Sequence, residues 1–166
     1  MADQPQAGGA AEAGGFPPFV LNGQYIRDLS FEAPKAPGIF GALQGSQPDI
    51  KINVDVGVQA LNEKLFEVAL RTVVNCMVGD SPAFILELTY AGLFTVDVAR
   101  DKLHATLLVD CPKLLFPFAR HLIATLSREG GFPPVMVGLV DFEAMYLSDL
   151  KRRQAEAAAG TAAAKA

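Results

Sequence analysis

The chain has 166 residues, 51% hydrophobic and only 19% charged, with a formal net charge of -4. That length gives one domain with flexible ends. The acidic balance excludes the basic footprint that nucleic acid requires, and no run of about 18 apolar residues is present to insert into a membrane. So apolar a composition, in a domain whose surface is large relative to its core, predicts apolar area shared with another chain or left open for binding.

Residues 1–16 are Gly/Ala-rich and are expected to form a disordered tail. They lack the basic start and apolar segment of a secretory signal. With no export signal, the two cysteines, Cys76 and Cys111, are expected to be reduced thiols in a cytoplasm. From Phe19 to Ala33 the residues alternate as a strand. Phe19, Leu21, Tyr25, Leu29 and Phe31 point one way, and Asn22, Gln24, Asp28, Ser30 and Glu32 the other. The prolines and glycines of Ala33–Pro48 predict an irregular loop around Ile39, Phe40 and Leu43.

The next strand is the most regular: Ile50, Ile52, Val54, Val56 and Val58 alternate with Asp49, Lys51, Asn53 and Asp55. A turn over Gln59–Glu63 leads to a third strand, Lys64–Val78, with Phe66, Val68, Leu70, Thr72, Val74 and Cys76 on its inner face. After a turn at Gly79–Pro82, a fourth strand runs to Val96. Short turns make strands two to four an antiparallel meander. The long loop lets strand one lie beside strand four, in a Greek-key order.

From about Arg100 the apolar spacing becomes helical, with a kink expected at Pro112 and Pro117 and a stop at Gly130-Gly131. Residues 132–140 read as a second apolar loop. Asp141 reads as the N-cap of a shorter final helix that frays from about Gln154 into an Ala-rich tail over 154–166. The fold class is therefore two-layer α+β, with residues 17–153 as the folded domain. One kinked helix covers a four-stranded sheet only in part. The apolar face of strand four (Phe84, Leu86, Leu88 and Tyr90), with Leu122 and Leu126 of the helix, is thus the candidate oligomer interface.

Chemistry is sparse. Neither the phosphate-cradling pattern G-x-x-x-x-G-K-[ST] nor G-x-G-x-x-G occurs, so no nucleotide site and no cofactor are expected. His104, His121, Cys76 and Cys111 match no metal-ligand spacing. No serine sits in a nucleophile elbow. Catalytic residues are therefore not expected. On composition alone the strand carboxylates Asp28, Glu32 and Glu87 read as the polar side of a sheet. The two apolar loops read either as packed on each other or as walls of a groove for extended apolar segments.

Six stretches resemble the protein-export chaperone family SecB: YIRDLSFEAPKAPGIF (25–40), KLFEVALRTVV (64–74), AFILEL (83–88), GLFTV (92–96), CPKLLFPFARHLI (111–123) and FPPVMVGLVDFEAMYL (132–147). The resemblance spans Phe19–Arg153 and implies a homotetramer, a dimer of dimers with long helices between sheets. It implies an ATP-independent holdase of the bacterial cytoplasm that binds unfolded export precursors and delivers them to the motor ATPase SecA. It implies that an acidic patch on the outer sheet face, at Asp28, Glu32, Ile85 and Glu87, docks the zinc-bearing, basic tail of SecA. It also implies a client groove at Ile39, Phe40, Phe132, Val137, Leu139, Phe142 and Tyr146.

Overall fold

The computed structural model describes residues 18–163, so the expected 1–16 tail lies outside them. Four strands, β1 (Phe19–Glu32), β2 (Asp49–Ala60), β3 (Leu65–Val78) and β4 (Ser81–Val96), form one antiparallel sheet in the order β1-β4-β3-β2. The meander and the return of β1 to the far side of β4 are as the turn lengths require. The 33–48 connection, expected to be irregular, contains a short helix, α1 (Ile39–Leu43), whose Ile39 is buried.

Strand β1 departs from plain alternation. Its register against β4 shifts between Leu21 and Gly23 and again between Ile26 and Asp28. Residues directly opposite in an antiparallel pair share a face. Tyr25 is opposite Ala91 and therefore lies on the outer face, whereas Gln24, opposite Gly92, turns toward the helices. The two β-bulges thus exchange the expected faces of Gln24 and Tyr25. The exchange lets the Tyr25 hydroxyl donate to Glu67 Oε2 at 2.5 Å, while Arg27 Nη1 donates to Glu67 Oε1 at 2.5 Å. Glu67 on β3 thereby ties down the edge strand across β4.

The helical layer begins with α2 (Arg100–Ala105), passes through a π turn (Thr106–Asp110) and continues as α3 (Cys111–Glu129). Pro112 explains the π turn. It has no N–H to give to the Leu108 carbonyl, and its ring crowds that carbonyl. The ladder widens just before it, and the Cys111 N–H bonds the Thr106 carbonyl. The expected interruption is thus a change of helical type, and Pro117 sits inside α3.

α3 ends where foreseen, for two reasons. Gly131 adopts φ +88°, a left-handed conformation that favours glycine. A Cβ on Gly130 would stand 2.2 Å from Phe31 Cζ, so the helix end touches β1 only because Gly130 has no side chain. Here Phe31, Phe40, Phe84 and Phe132 form one aromatic cluster, with Phe84 and Phe132 centroids 4.7 Å apart. Ser127, fully buried, donates to the Ile123 carbonyl at 2.9 Å and accepts the Val135 N–H at 2.9 Å, which pins the 132–140 loop to α3.

The final helix, α4 (Phe142–Ala163), is capped as expected: Asp141 Oδ1 accepts the Ala144 N–H at 2.9 Å. It continues through the Ala-rich stretch where fraying was expected, consistent with the high helix propensity of alanine.

The core lies between β3, β4 and α3. Phe84, Leu86, Leu88 and Tyr90 are 1%, 0%, 0% and 8% exposed, buried by the chain's own helical layer. For Phe84, Leu86 and Leu88 the expected role as an oligomer interface is therefore corrected, because a second copy has almost no surface to reach there, while Tyr90 keeps an edge on a hollow beside Phe118. Leu122 and Leu126 remain partly open. The excess apolar area sits instead on the edge strands, which α3 covers only in part. Ile26 and Leu29 of β1, and Ile50, Ile52 and Val58 of β2, are all exposed.

The Glu67 carboxyl is held below its ordinary value of 4.5, first by the Tyr25 hydroxyl and then, against the opposing effect of burial, by Arg27. A depressed carboxylate contributes stability that is present above the unfolded pKa and lost as the pH falls through the folded value. Glu67→Gln should lower unfolding free energy at pH 7 by about 1–2 kcal/mol. It should also flatten the loss of stability between neutral pH and the acid side of 4.5, measured by urea denaturation across that range.

Candidate functional sites on the two faces of the sheet

The outer face brings together all four candidate docking residues. Asp28 stands opposite Thr89, Glu32 opposite Ile85, and Ser30, between those two acids, opposite Glu87. Three carboxylates and one aliphatic side chain thus occupy neighbouring positions on adjacent strands. Glu87 also accepts a hydrogen bond from Arg71 Nη2 of β3 at 3.2 Å. Fidelity of the β1–β4 register creates this patch. The second bulge restores the alternation that the first breaks, so Asp28 and Glu32 return to the outer face.

The helix side carries the candidate groove, and the structure divides its expected residues. Ile39, Phe132, Val137 and Phe142 are buried in the core. Phe132 is enclosed by Phe31, Phe40 and Phe84, and Phe142 packs edge-on against Phe116 at 5.8 Å. These four are corrected from groove to core: Ser127 draws the 132–140 loop, with Phe132 and Val137, down onto α3, while Ile39 of α1 and Phe142 of α4 pack into the same core cluster. Phe40 and Tyr146 are half-buried, and Leu139 is 89% exposed.

Sequence reading did not find a concavity on the β2 side of the helical layer. A cavity of about 640 Å³ lies between β2, the π turn and α4, with Val56, Leu108, Met145 and Tyr146 among its apolar lining. Asp55, Asp149, Arg152 and Arg153 give it a polar wall, and Arg152 and Arg153 both pair with Asp149. The signal for it was available. A meander of strands two to four with strand one beside strand four leaves β2 as the other edge, and β2 is the most regularly alternating strand. A second concavity of about 330 Å³ lies between Tyr25, Ile26, Tyr90, Phe118, His121 and Leu122. There Tyr90 and Phe118 stack at 6.3 Å.

Neither cysteine is poised for chemistry. Burial pushes the Cys76 thiol up, and burial, with a smaller contribution from Asp110, pushes Cys111 up to about 12. Nucleophilic cysteines require the opposite shift. Among the described residues no three His, Cys, Asp or Glu side chains come together as a metal cluster, and no helix is long and apolar enough to cross a membrane. His104 packs against Tyr146 at 5.4 Å.

The sheet thus carries a polar, carboxylate-bearing face on one side and open apolar concavities on the other, an arrangement suited to binding. The family profile described as preprotein translocase subunit SecB matches residues 11–153. The protein-export protein SecB of Rhodospirillum rubrum is 44% identical over 99% of both chains. That of Afipia carboxidovorans is 46% identical over 87% of this chain and 89% of its own. The fold resembles the SecB-like chaperone Rv1957 of Mycobacterium tuberculosis, solved in complex with a ChAD peptide from the Rv1956 HigA1 antitoxin. The TM-score is 0.61 at 13% identity, over 74% of this chain and 90% of that one. The chain belongs to the SecB family, a family of protein-export chaperones and not of enzymes.

The division between core and rim predicts opposite mutational costs. Phe132→Ala should lower unfolding free energy by about 3–5 kcal/mol, whereas Leu139→Ala should change it by less than about 0.5 kcal/mol. Urea midpoints of the two variants at one protein concentration check this.

Proposed function

We propose that this chain is an ATP-independent holdase. It binds unfolded export precursors along apolar surface on the helix side of its sheet and presents its outer acidic face to SecA. The observation that carries the reading is the placement of open apolar area. Ile50, Ile52 and Val58 line the uncovered half of β2, beside a cavity bounded by Met145 and Tyr146, with Leu139 exposed on the preceding loop. Extended apolar segments would gain roughly 25 cal/mol per Å² of apolar area buried there, and the methionine side chain would adapt to varied residues. The ChAD peptide complex of the Mycobacterium tuberculosis chaperone supports a peptide as the occupant of this fold.

The second concavity supports assembly. Ile26, 44% exposed, and Phe118, 47% exposed, flank a hollow on the β1 edge of the helical layer. A second copy would cover this surface, and β1 would pair along its free edge. Two interfaces of different kinds, the covered hollow and the paired β1 edge, would build the homotetramer, a dimer of dimers. Several grooves on one particle would then hold one unfolded chain at several points, and multivalency turns weak contacts into useful avidity. Folded proteins hide the segments the grooves take, so selection is largely kinetic. In this reading the protein meets precursors before translocation, in the bacterial cytoplasm. Release follows when SecA engages Asp28, Glu32, Ile85 and Glu87 and competes for the precursor.

Two variants test these readings. Reversing Asp28 and Glu87 together to lysine should abolish SecA binding at low salt, while suppression of precursor aggregation, followed by light scattering without ATP, stays intact. Unchanged SecA affinity would remove the docking assignment. For assembly, Phe118→Glu should shift the particle to a smaller species in analytical ultracentrifugation; a variant of unchanged mass would refute the placement of the interface.

A further inference from the structure

We propose that Arg71 is a built-in competitor for the basic partner of the outer face: its guanidinium occupies Glu87 in the free protein and must be displaced when the partner docks. The inference rests on the docking reading given above. Arg71 stands opposite Thr89 of β4, two residues from Glu87 on the same face, and donates to the Glu87 carboxylate at 3.2 Å. On the other side, Glu87 faces Ser30, flanked by Asp28 and Glu32. Diagonal neighbours in a sheet lie about 7–8 Å apart, so two like charges repel Glu87 toward β3 while Arg71 attracts it there.

The other cations of this face are engaged elsewhere. Arg27 is held by Glu67, and Lys51 lies 3.7 Å from Asp49. Arg71 alone, among the described cations of the outer face, has its partner inside the patch. Its second neighbour is Asp55, directly opposite on β2. A guanidinium displaced from Glu87 therefore has another carboxylate to turn to, which lowers the cost of release. The Arg71 and Glu87 side chains are 59% and 41% exposed, so the pair is open to exchange. With Glu87 already neutralised, a single positive charge gains little at this site. A polybasic ligand, engaging Asp28 and Glu32 first and then replacing Arg71, gains all three carboxylates. Arg71 thus sharpens selection for highly basic partners.

The test is calorimetric titration of the full-length protein with the zinc-loaded basic tail peptide of SecA at low salt. Arg71→Gln should tighten binding by about three-fold, the scale of an exposed ion pair. Glu87→Gln should weaken it, and adding Arg71→Gln in that background should bring no gain. Lys51→Gln, which removes one positive charge of the same face away from the patch, should leave affinity unchanged. Equal or weaker binding by Arg71→Gln, the same gain in the Glu87→Gln background, or an equal gain from Lys51→Gln would each overturn the competitor role. Should Arg71→Gln fail to fold by its urea midpoint, Arg71→Lys takes its place and should bind within two-fold of the parent, about the lower end of the exposed-pair scale; a larger departure overturns the proposal. A parent protein that ignores the peptide refutes the docking reading itself, a result distinct from failure of Arg71→Gln in a protein that binds.

Discussion

The rest of the architecture depends on how α3 lies across the sheet. A single helix reaches little more than two strands, and this one covers β4 and β3. Those strands become the fully buried core, through Phe84, Leu86 and Leu88 on one and Val68, Leu70 and Val74 on the other. The edge strands are left half dressed. Apolar residues that would be core in a wider two-layer domain become surface on β1 and β2, and both concavities of the helix side arise at these margins. Binding capacity in this fold follows from a shortage of cover, and no specialised loop is needed to create it.

Sequence pattern carried much of this. Strict alternation in β2, β3 and β4 gave their faces, and the turn lengths gave the sheet order that unites Asp28, Glu32, Ile85 and Glu87. Other features were hidden for physical reasons. The exchange of Gln24 and Tyr25 depends on two bulges, of which Gly23, a glycine within a strand, was the one local sign. Burial of strand four by the chain itself could not be read from periodicity, which says that a face is apolar but not what covers it. The misassigned groove residues share that cause. Phe132, Val137 and Phe142 lie in or beside a loop of unusual hydrophobicity, and its inward fold rests on contacts that periodicity does not show, among them the Ser127 hydroxyl that accepts the Val135 N–H and the packing of Phe132 on Phe84.

In the proposed function the two faces of one sheet serve two partners, and the alternation of side chains keeps them apart. In β4, Glu87 looks outward while Leu86 and Leu88 on either side look into the core. A change on the outer face therefore touches the apolar side only through the backbone between them. Under that reading a client is held and a motor engaged at the same time, because none of Asp28, Glu32, Ile85 and Glu87 lines the cavity beside β2.

The paired bulges of β1 carry an evolutionary consequence. Each shifts the phase of the strand by one, and together they cancel, so the acids beyond Ile26 keep their outward aim. Insertion or loss of one residue between Asn22 and Arg27 would break that parity and swing Asp28 and Glu32 beneath the helices. Length drift in this segment among descendants should then be confined to even steps, or to odd ones in which a bulge vanishes or appears alongside.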